Sequence, residues 1–294
     1  MRTRLGLVAA IVIVAGCAPK DNSAAARADS ASAARTTTAV APSASSSMPN
    51  VVTVHGTDFT FSSAPDSIPA GMTTFDLVND GHVPHHLVVV RLDSGKTITD
   101  LKAEFSKPVT PAAWVSFQGG PNAGEPGTTS NATLDLQPGS YVMMCLVDMP
   151  GGVPHFAKGM IRPFTVTAAT GPLAPAPSSD VSIKLVDYTF DLSTPLTAGH
   201  HTFAVSNAGP QVHEVELVQL AAGKTVDDLL KWIMKPAGPP PGSLIGGVAP
   251  FRNTTNYFSA DLTAGTYAMI CFVPDAKDGK PHFMHGMTKT FTVS

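Results

Sequence analysis

Two sets of soft metal ligands recur along this chain of 294 residues. Cys145 is followed ten residues later by His155 and then by Met160, while Cys271 is followed eleven residues later by His282 and then by Met287. The His-to-Met interval is five residues in both sets. Upstream of each cysteine an Asn-x-Gly turn leads into a strand-like run, NDGHVPHHLVVV and NAGPQVHEVELV, and aligning Asn79 with Asn207 places His85 opposite His213. Each set therefore offers His, Cys, His and Met in that order. A thiolate, two imidazoles and a thioether favour copper over Mg²⁺ or Ca²⁺, and such a set serves a metal cycling between Cu(I) and Cu(II) with little rearrangement. Zinc also accepts Cys and His, although thioether is a poor zinc ligand.

The neighbouring residues have plainer readings. His86 competes with His85, but its equivalent is Glu214, and adjacent strand residues face opposite sides, so both cannot point inward. Met143, Met144, Met149, Met269 and Met284 read as packing or rim residues. His82, His200, His201 and His285 read as solvated loop histidines, and His55 as a surface strand residue. A disulfide between Cys145 and Cys271 is the simplest alternative in an exported chain. Equivalent interior positions of two separately folded domains, however, rarely approach within bridging distance.

The elements that must position these residues are themselves duplicated. DFTF at Asp58 returns as DYTF at Asp187, PAG at Pro69 as TAG at Thr197, and GKT at Gly95 returns at Gly223. Gly119-Gly120 returns at Gly246-Gly247, LQPGSY at Leu136 as LTAGTY at Leu262, and FTV at Phe164 returns at Phe291, with every offset between 126 and 129 residues. Solenoid repeats are far shorter, so this is a duplicated domain. Runs alternating with period two, among them Val51 to Val54, Thr73 to Val78, His85 to Arg91, Ala132 to Leu136, Tyr141 to Leu146 and Ile161 to Val166, are separated by Gly, Pro and Asn and read as strands. Apolar residues recur at helical spacing only over Thr97 to Phe105 and Thr225 to Met234, where Thr225 and Asp228 stand close to a capping box. The prediction is an all-β chain of two Greek-key β-sandwiches at 50–168 and 179–294, each with a short helical insertion, joined by a Pro-rich linker over 169–178.

The N-terminus reads as an export signal: Arg2 and Arg4 precede an apolar run too short to remain as a membrane span. It ends in Val14-Ala15-Gly16-Cys17, which resembles the bacterial lipobox, implying a lipidated Cys17 that holds the protein at a membrane surface. Residues 18–49 are mostly Ala, Ser and Thr and read as a disordered tether. Charged residues make up 14% of the chain and the net charge is -3 with no basic cluster, which argues against nucleic acid as a partner.

Taken together, the histidine after Asn-x-Gly, the Gly-x-Tyr-x-x-x-Cys strand, the following Pro-His, and the Gly-Met resemble the cupredoxins, over nearly the whole of both repeats. The resemblance implies up to one copper per domain, held by His85, Cys145, His155 and Met160 and by His213, Cys271, His282 and Met287. Two-domain copper enzymes of this architecture place a histidine immediately before the cysteine, where this chain has Met144 and Ile270. The expectation is therefore a chain that is not an enzyme. It is expected to be an exported, lipid-anchored one-electron carrier of the bacterial cell envelope, with exported redox or copper-handling proteins as partners. A copper-sequestering or copper-delivery lipoprotein without a redox role, and a metal-free interaction module, remain open on the sequence.

Overall fold

The computed structural model describes residues 47–107 and 111–294. The expected export signal, Cys17 and the tether as far as residue 46 lie outside the described residues. In the first half, the strands are β1 (Asn50–Thr57), β2 (Thr60–Ser62), β3 (Ser67–Pro69), β4 (Gly71–Asn79) and β5 (Val88–Leu92); helix α1 (Ile98–Phe105) precedes β6 (Val115–Gly119), β7 (Thr129–Leu136), β8 (Gly139–Met144) and β9 (Ile161–Thr167). The second half repeats the scheme with β10 (Val181–Val186), β11 (Thr189–Leu192), β12 (Gly199–Asn207) and β13 (His213–Leu220), then helix α2 (Val226–Met234), β14 (Gly242–Phe251), β15 (Thr255–Leu262), β16 (Gly265–Ile270) and β17 (Thr288–Val293).

These strands form two sheets, and both sheets run through both halves. One has the order β11-β10-β12-β15-β7-β4-β1-β2, the other β17-β16-β13-β14-β6-β5-β8-β9-β3. Strict alternation drives the layering: in β4 every second residue, including Thr73, Phe75, Leu77 and Asn79, is buried, as a strand with one face on a core requires. Each half closes its own core between the sheets. Phe75, Leu77, Leu134, Tyr141 and Phe164 pack in the first, and Phe203, Val205, Phe258, Leu262 and Tyr267 in the second. The repeated Gly-x-Tyr has a physical reason: a buried phenol needs an acceptor, and Tyr141 donates to the Gln137 carbonyl at 2.7 Å while Tyr267 donates to the Thr263 carbonyl at 3.1 Å.

The helices cover the outer face of the second sheet. Leu101 of α1 packs with Val88, Val90, Val142 and Met144, and Leu229 of α2 with Val218, Leu220, Ala268 and Ile270. Both helices begin in complete capping boxes, Thr97 with Asp100 and Thr225 with Asp228, which satisfy the free backbone donors of the first turn. The halves meet along two short seams, where Tyr257 of β15 pairs with Thr133 of β7 and Phe251 of β14 pairs with Gln118 of β6. Next to the second seam, Asn122 N–H donates to the Gly247 carbonyl at 3.1 Å and Ala249 N–H to the Gly120 carbonyl at 2.8 Å. The repeated glycine pair belongs to this seam: Gly120 and Gly247 have φ of 127° and 136°, and a side chain there would strike the carbonyls of Leu87 and Val215.

Two sequence expectations shift. The strand expected from His85 begins three residues later, at Val88, and His85 makes only an isolated bridge to Gly124; Pro84 has no N–H to continue a ladder. His201 is buried rather than solvated, because Asp180 Oδ2 and the Thr197 carbonyl engage its two ring nitrogens. No helix among the described residues is long and apolar enough to cross a membrane.

Candidate metal centres

Each cysteine lies just beyond the end of a strand, β8 or β16, one residue past a side chain that faces the helix. Met144 and Ile270 point into the helix-side clusters, so Cys145 and Cys271 turn into the sandwich cores. After each cysteine the chain makes an excursion and returns: His155 N–H bonds to the Val147 carbonyl and Phe156 N–H to the Cys145 carbonyl, both at 2.9 Å. His282 and Phe283 repeat this on Val273 and Cys271 at 2.9 and 3.0 Å. A 3₁₀ turn follows, His155–Lys158 and His282–His285, and it sends the methionine back beneath the cysteine. Met160 N–H bonds to the His155 carbonyl at 3.2 Å, and Cys145 N–H to the Met160 carbonyl at 3.1 Å.

The ligand atoms converge. His85 Nδ1 lies 3.1 Å from His155 Nδ1, which lies 3.5 Å from Cys145 Sγ. His213 Nδ1 lies 3.1 Å from His282 Nδ1, which lies 3.4 Å from Cys271 Sγ. Within each group the three donor atoms all lie within 4.8 Å of one another. The two groups are buried, as are Met160 and Met287. A Cβ added at Gly56 would sit 3.3 Å from Met160 Cε and 3.7 Å from His85 Cβ, which places the end of that methionine beside the histidine. Of the eight residues singled out in the sequence, six thus come together as two His-Cys-His groups, with Met160 beside His85 in the first and Met287 buried in the same core as Cys271 in the second. Both cysteines are free thiols in separate cores, so the alternative disulfide is not formed.

Proton positions follow from the hydrogen-bond partners. Asp58 Oδ1 lies 2.8 Å from His85 Nε2, and Asp187 Oδ1 2.7 Å from His213 Nε2. A carboxylate only accepts, so the imidazole proton sits on Nε2 and Nδ1 presents its lone pair. In the second half the same holds for His282, whose Nε2 faces Gln211 Oε1 at 3.4 Å. The orientation of that amide is fixed because Gln211 Nε2 donates to Asp275 and Oε1 accepts from Ala276 N–H. Two bare nitrogens, buried and 3.1 Å apart with a sulfur beside them, repel one another unless a cation lies between them. In the second half this is the observation by which the residues fit a metal; the first half brings the same three donors together, and this soft set selects copper, up to one per half.

Electrostatics keep the ligands ready. Burial, reinforced by the neighbouring imidazole, lowers the pKa of His155 and of His282 to about 4. Burial also lowers those of His85 and His213, partly offset by Asp58 and Asp187. Burial pushes the Cys145 thiol up to about 12 and raises Cys271 well above its ordinary value, so a bound cation is what makes a thiolate here. Asp58 falls to about 2: burial alone would raise it, but hydrogen bonds from His85 and His82 outweigh that.

The surroundings differ between the halves. Beside His155 stands Phe59, with ring centroids 4.7 Å apart, and the sequence positions equivalent to Gln211 and Asp275 carry Val83 and Met149. Around His282 stand Tyr188, Gln211 and Asp275, with Tyr188 donating its hydroxyl to Asp275 and Gln211 Nε2 2.9 Å from the same carboxylate. Sequence comparison missed this polar rim, although Gln211 opposite Val83 and Asp275 opposite Met149 were its visible signal. It also weighed His86 only as the rival of His85 and gave no role to Glu214, and both prove to be buried. His86 Nε2 accepts from Leu146 N–H at 2.6 Å and Glu214 Oε1 accepts from Phe272 N–H at 2.8 Å. Each therefore holds the residue directly after a cysteine.

No protein-family model and no curated protein sequence matches the chain. Among solved structures, it is similar to dithionite-reduced auracyanin from Roseiflexus castenholzii, with 20% identity over 41% of this chain and 99% of that one and a TM-score of 0.28. It is also similar to a blue copper oxidase from Nitrosomonas europaea, with 14% identity over 84% and 86% and a TM-score of 0.27. A copper nitrite reductase from the same organism has 13% identity over 84% and 94% and a TM-score of 0.26. The fold is cupredoxin-like, as two Greek-key sandwiches each bearing a buried His-Cys-His group already indicate. One sequence expectation is corrected by these neighbours: the chain cannot be set apart as a non-enzyme, because oxidases and nitrite reductases are among the structures it is similar to. The physical reason is plain. The residue before the cysteine reports on one placement of a catalytic copper and on nothing else in the chain.

Proposed function

We propose that the chain is an exported copper protein that moves single electrons through two type 1 centres, one in each repeat, 50–168 and 179–294. His85, Cys145, His155 and Met160 would hold the first copper, and His213, Cys271, His282 and Met287 the second. Copper held there supplies a one-electron couple. The observation that carries this reading is the pair of proton-free Nδ1 atoms facing each other beside a buried sulfur in the second half. The protein's own contribution is to keep that geometry in both oxidation states. Asp58 and Asp187 hold the proton on Nε2 of the first histidines, the backbone N–H groups of His86 and Val147, or of Glu214 and Val273, point at the cysteine sulfur, and burial excludes water. A site that does not rearrange when its charge changes has a small barrier to electron exchange. Cys17 would anchor the chain by lipid in the cell envelope, where its partners would be exported redox or copper-handling proteins.

The test is copper stoichiometry together with the visible spectrum of the full chain matured in its own compartment. Two coppers per chain and an intense thiolate-to-copper absorption in the oxidised protein are expected. Colourless protein fully loaded with Cu(II) overturns the reading.

A further inference from the structure

The two candidate centres are joined by an unbroken line of hydrogen bonds, buried at its centre. It starts at the residue after Cys145, where Leu146 N–H donates to His86 Nε2 at 2.6 Å. With Nε2 accepting, the proton of that imidazole is on Nδ1, which lies 3.3 Å from Asn122 Oδ1. Asn122 Nδ2 then donates to Glu214 Oε2 at 3.2 Å, and Glu214 Oε1 accepts from Phe272 N–H, the residue after Cys271, at 2.8 Å. Every donor and acceptor along this line is consistent in direction. His86, Asn122 and Glu214 are 7%, 1% and 4% exposed, so the three side chains that carry the line are sheltered from water.

Asn122 is the one member that belongs to the seam itself. Its backbone N–H bonds to Gly247, and its side-chain amide also donates to the Val215 carbonyl at 3.1 Å. The second repeat has Ala249 at the equivalent place, so the link is made once, from the first half into the second. A buried carboxylate needs its donors, and Glu214 has one from its own half and one from Asn122. The clamp on the Cys271 loop is thus completed by the other half, and polarised bonds in series strengthen one another.

We infer that Asn122 couples the two metal sites, so that filling one changes how tightly the other binds. Asn122 acts here as a positioning residue: metal uptake fixes one cysteine loop, which fixes its backbone N–H on His86 or Glu214, and Asn122 carries that restraint across. The inference rests on the copper reading proposed above. Its test is a thermodynamic cycle with Cu(I) and a competing chromophoric chelator at fixed pH. The dissociation constants of the single-site chains C271A and C145A are multiplied and compared with the product of the two stepwise constants of the native chain. The same comparison is made in the N122L and E214Q backgrounds. The native ratio should differ from one by about fivefold or more and return to near one in both variants, a result that mere loosening of either site would not give. A native ratio of one, or the same ratio in all backgrounds, overturns the coupling. E214Q has the size of the native residue and carries the test alone should N122L not fold. Fewer than two Cu(I) taken up by the native chain defeats the copper reading and this inference with it, whereas two Cu(I) with a ratio of one defeats the coupling only.

Discussion

Asp58 touches His85 at the ring nitrogen that faces away from the cysteine, 2.8 Å from Oδ1 to Nε2, with the imidazole fully buried and the carboxylate side chain 24% exposed. The carboxylate orients the ring and leaves Nδ1 for the metal, an arrangement whose loss costs about 10- to 100-fold in metal affinity. Asp58→Ala should therefore weaken copper binding at the first site by that factor and leave the second unchanged, with Asp187→Ala doing the reverse. Asp58→Asn, which keeps an oxygen acceptor, should restore part of the loss. Competition with a chelator of known affinity reads all three.

Met160 and Met287 fill core volume as well as standing beneath the cysteines. Replacing either with Leu conserves volume and should cost less than about 1.5 kcal/mol of stability. If the thioether is the axial ligand, the reduction potential of that centre must move, because axial donors tune it. Spectroelectrochemistry on M160L and M287L separates the roles: a changed melting temperature with an unchanged potential would make these residues packing alone.

Glu216 is 3% exposed and has one oxygen without a partner. Burial, and the charge of Glu214, raise its pKa well above 4.5, only partly offset by the Ala123 N–H. The native state therefore keeps its proton at a pH where the unfolded chain has lost it. Stability from this group is fully present below 4.5 and is lost as pH rises from there through the folded pKa, by about 1.4 kcal/mol for each pH unit between the two. Glu216→Gln should match the native chain in acid and gain on it steadily as the pH rises, and parallel urea titrations at several pH values measure the slope. Equal slopes for the two proteins would contradict the assignment.

Asn131 crosses the first seam with both ends of its amide, donating to the Ser259 carbonyl at 2.9 Å and accepting from Ser259 N–H at 2.8 Å. It stands in for a strand pairing the seam does not otherwise have, since only Thr133 and Tyr257 are in register there. Asn131→Ala should destabilise the chain by about 1–3 kcal/mol and raise amide exchange at Ser259 more than in either core. An unaltered exchange rate at Ser259 would show that the seam holds without it.

Much of this was legible because it is written twice. Period-two alternation and the matched Gly-x-Tyr gave the strands and cores, Thr225 with Asp228 gave the helix start, and the doubled spacing of Cys and His, with the histidine after each Asn-x-Gly, gave both His-Cys-His groups. What the sequence concealed lies where the copies differ. Asn122 has Ala249 as its counterpart and His86 has Glu214, so comparing repeats treats them as noise. Only the approach of the two halves places them in one line. His201 escaped for a related reason: its acceptors, Asp180 and the Thr197 carbonyl, lie at chain positions no periodicity singles out.

The seams are short for a surface that has to keep two bodies together. Two separate chains meeting along these seams would have to find one another, and the extent of their association would depend on concentration. Because the linker carries the second body along with the first, each meets the other at an effective concentration on the order of millimolar, whatever the amount of protein present. Duplication within one chain thus makes this contact independent of concentration, and it lets the two faces drift apart in sequence. A symmetric pair could not have placed asparagine on one side and alanine on the other.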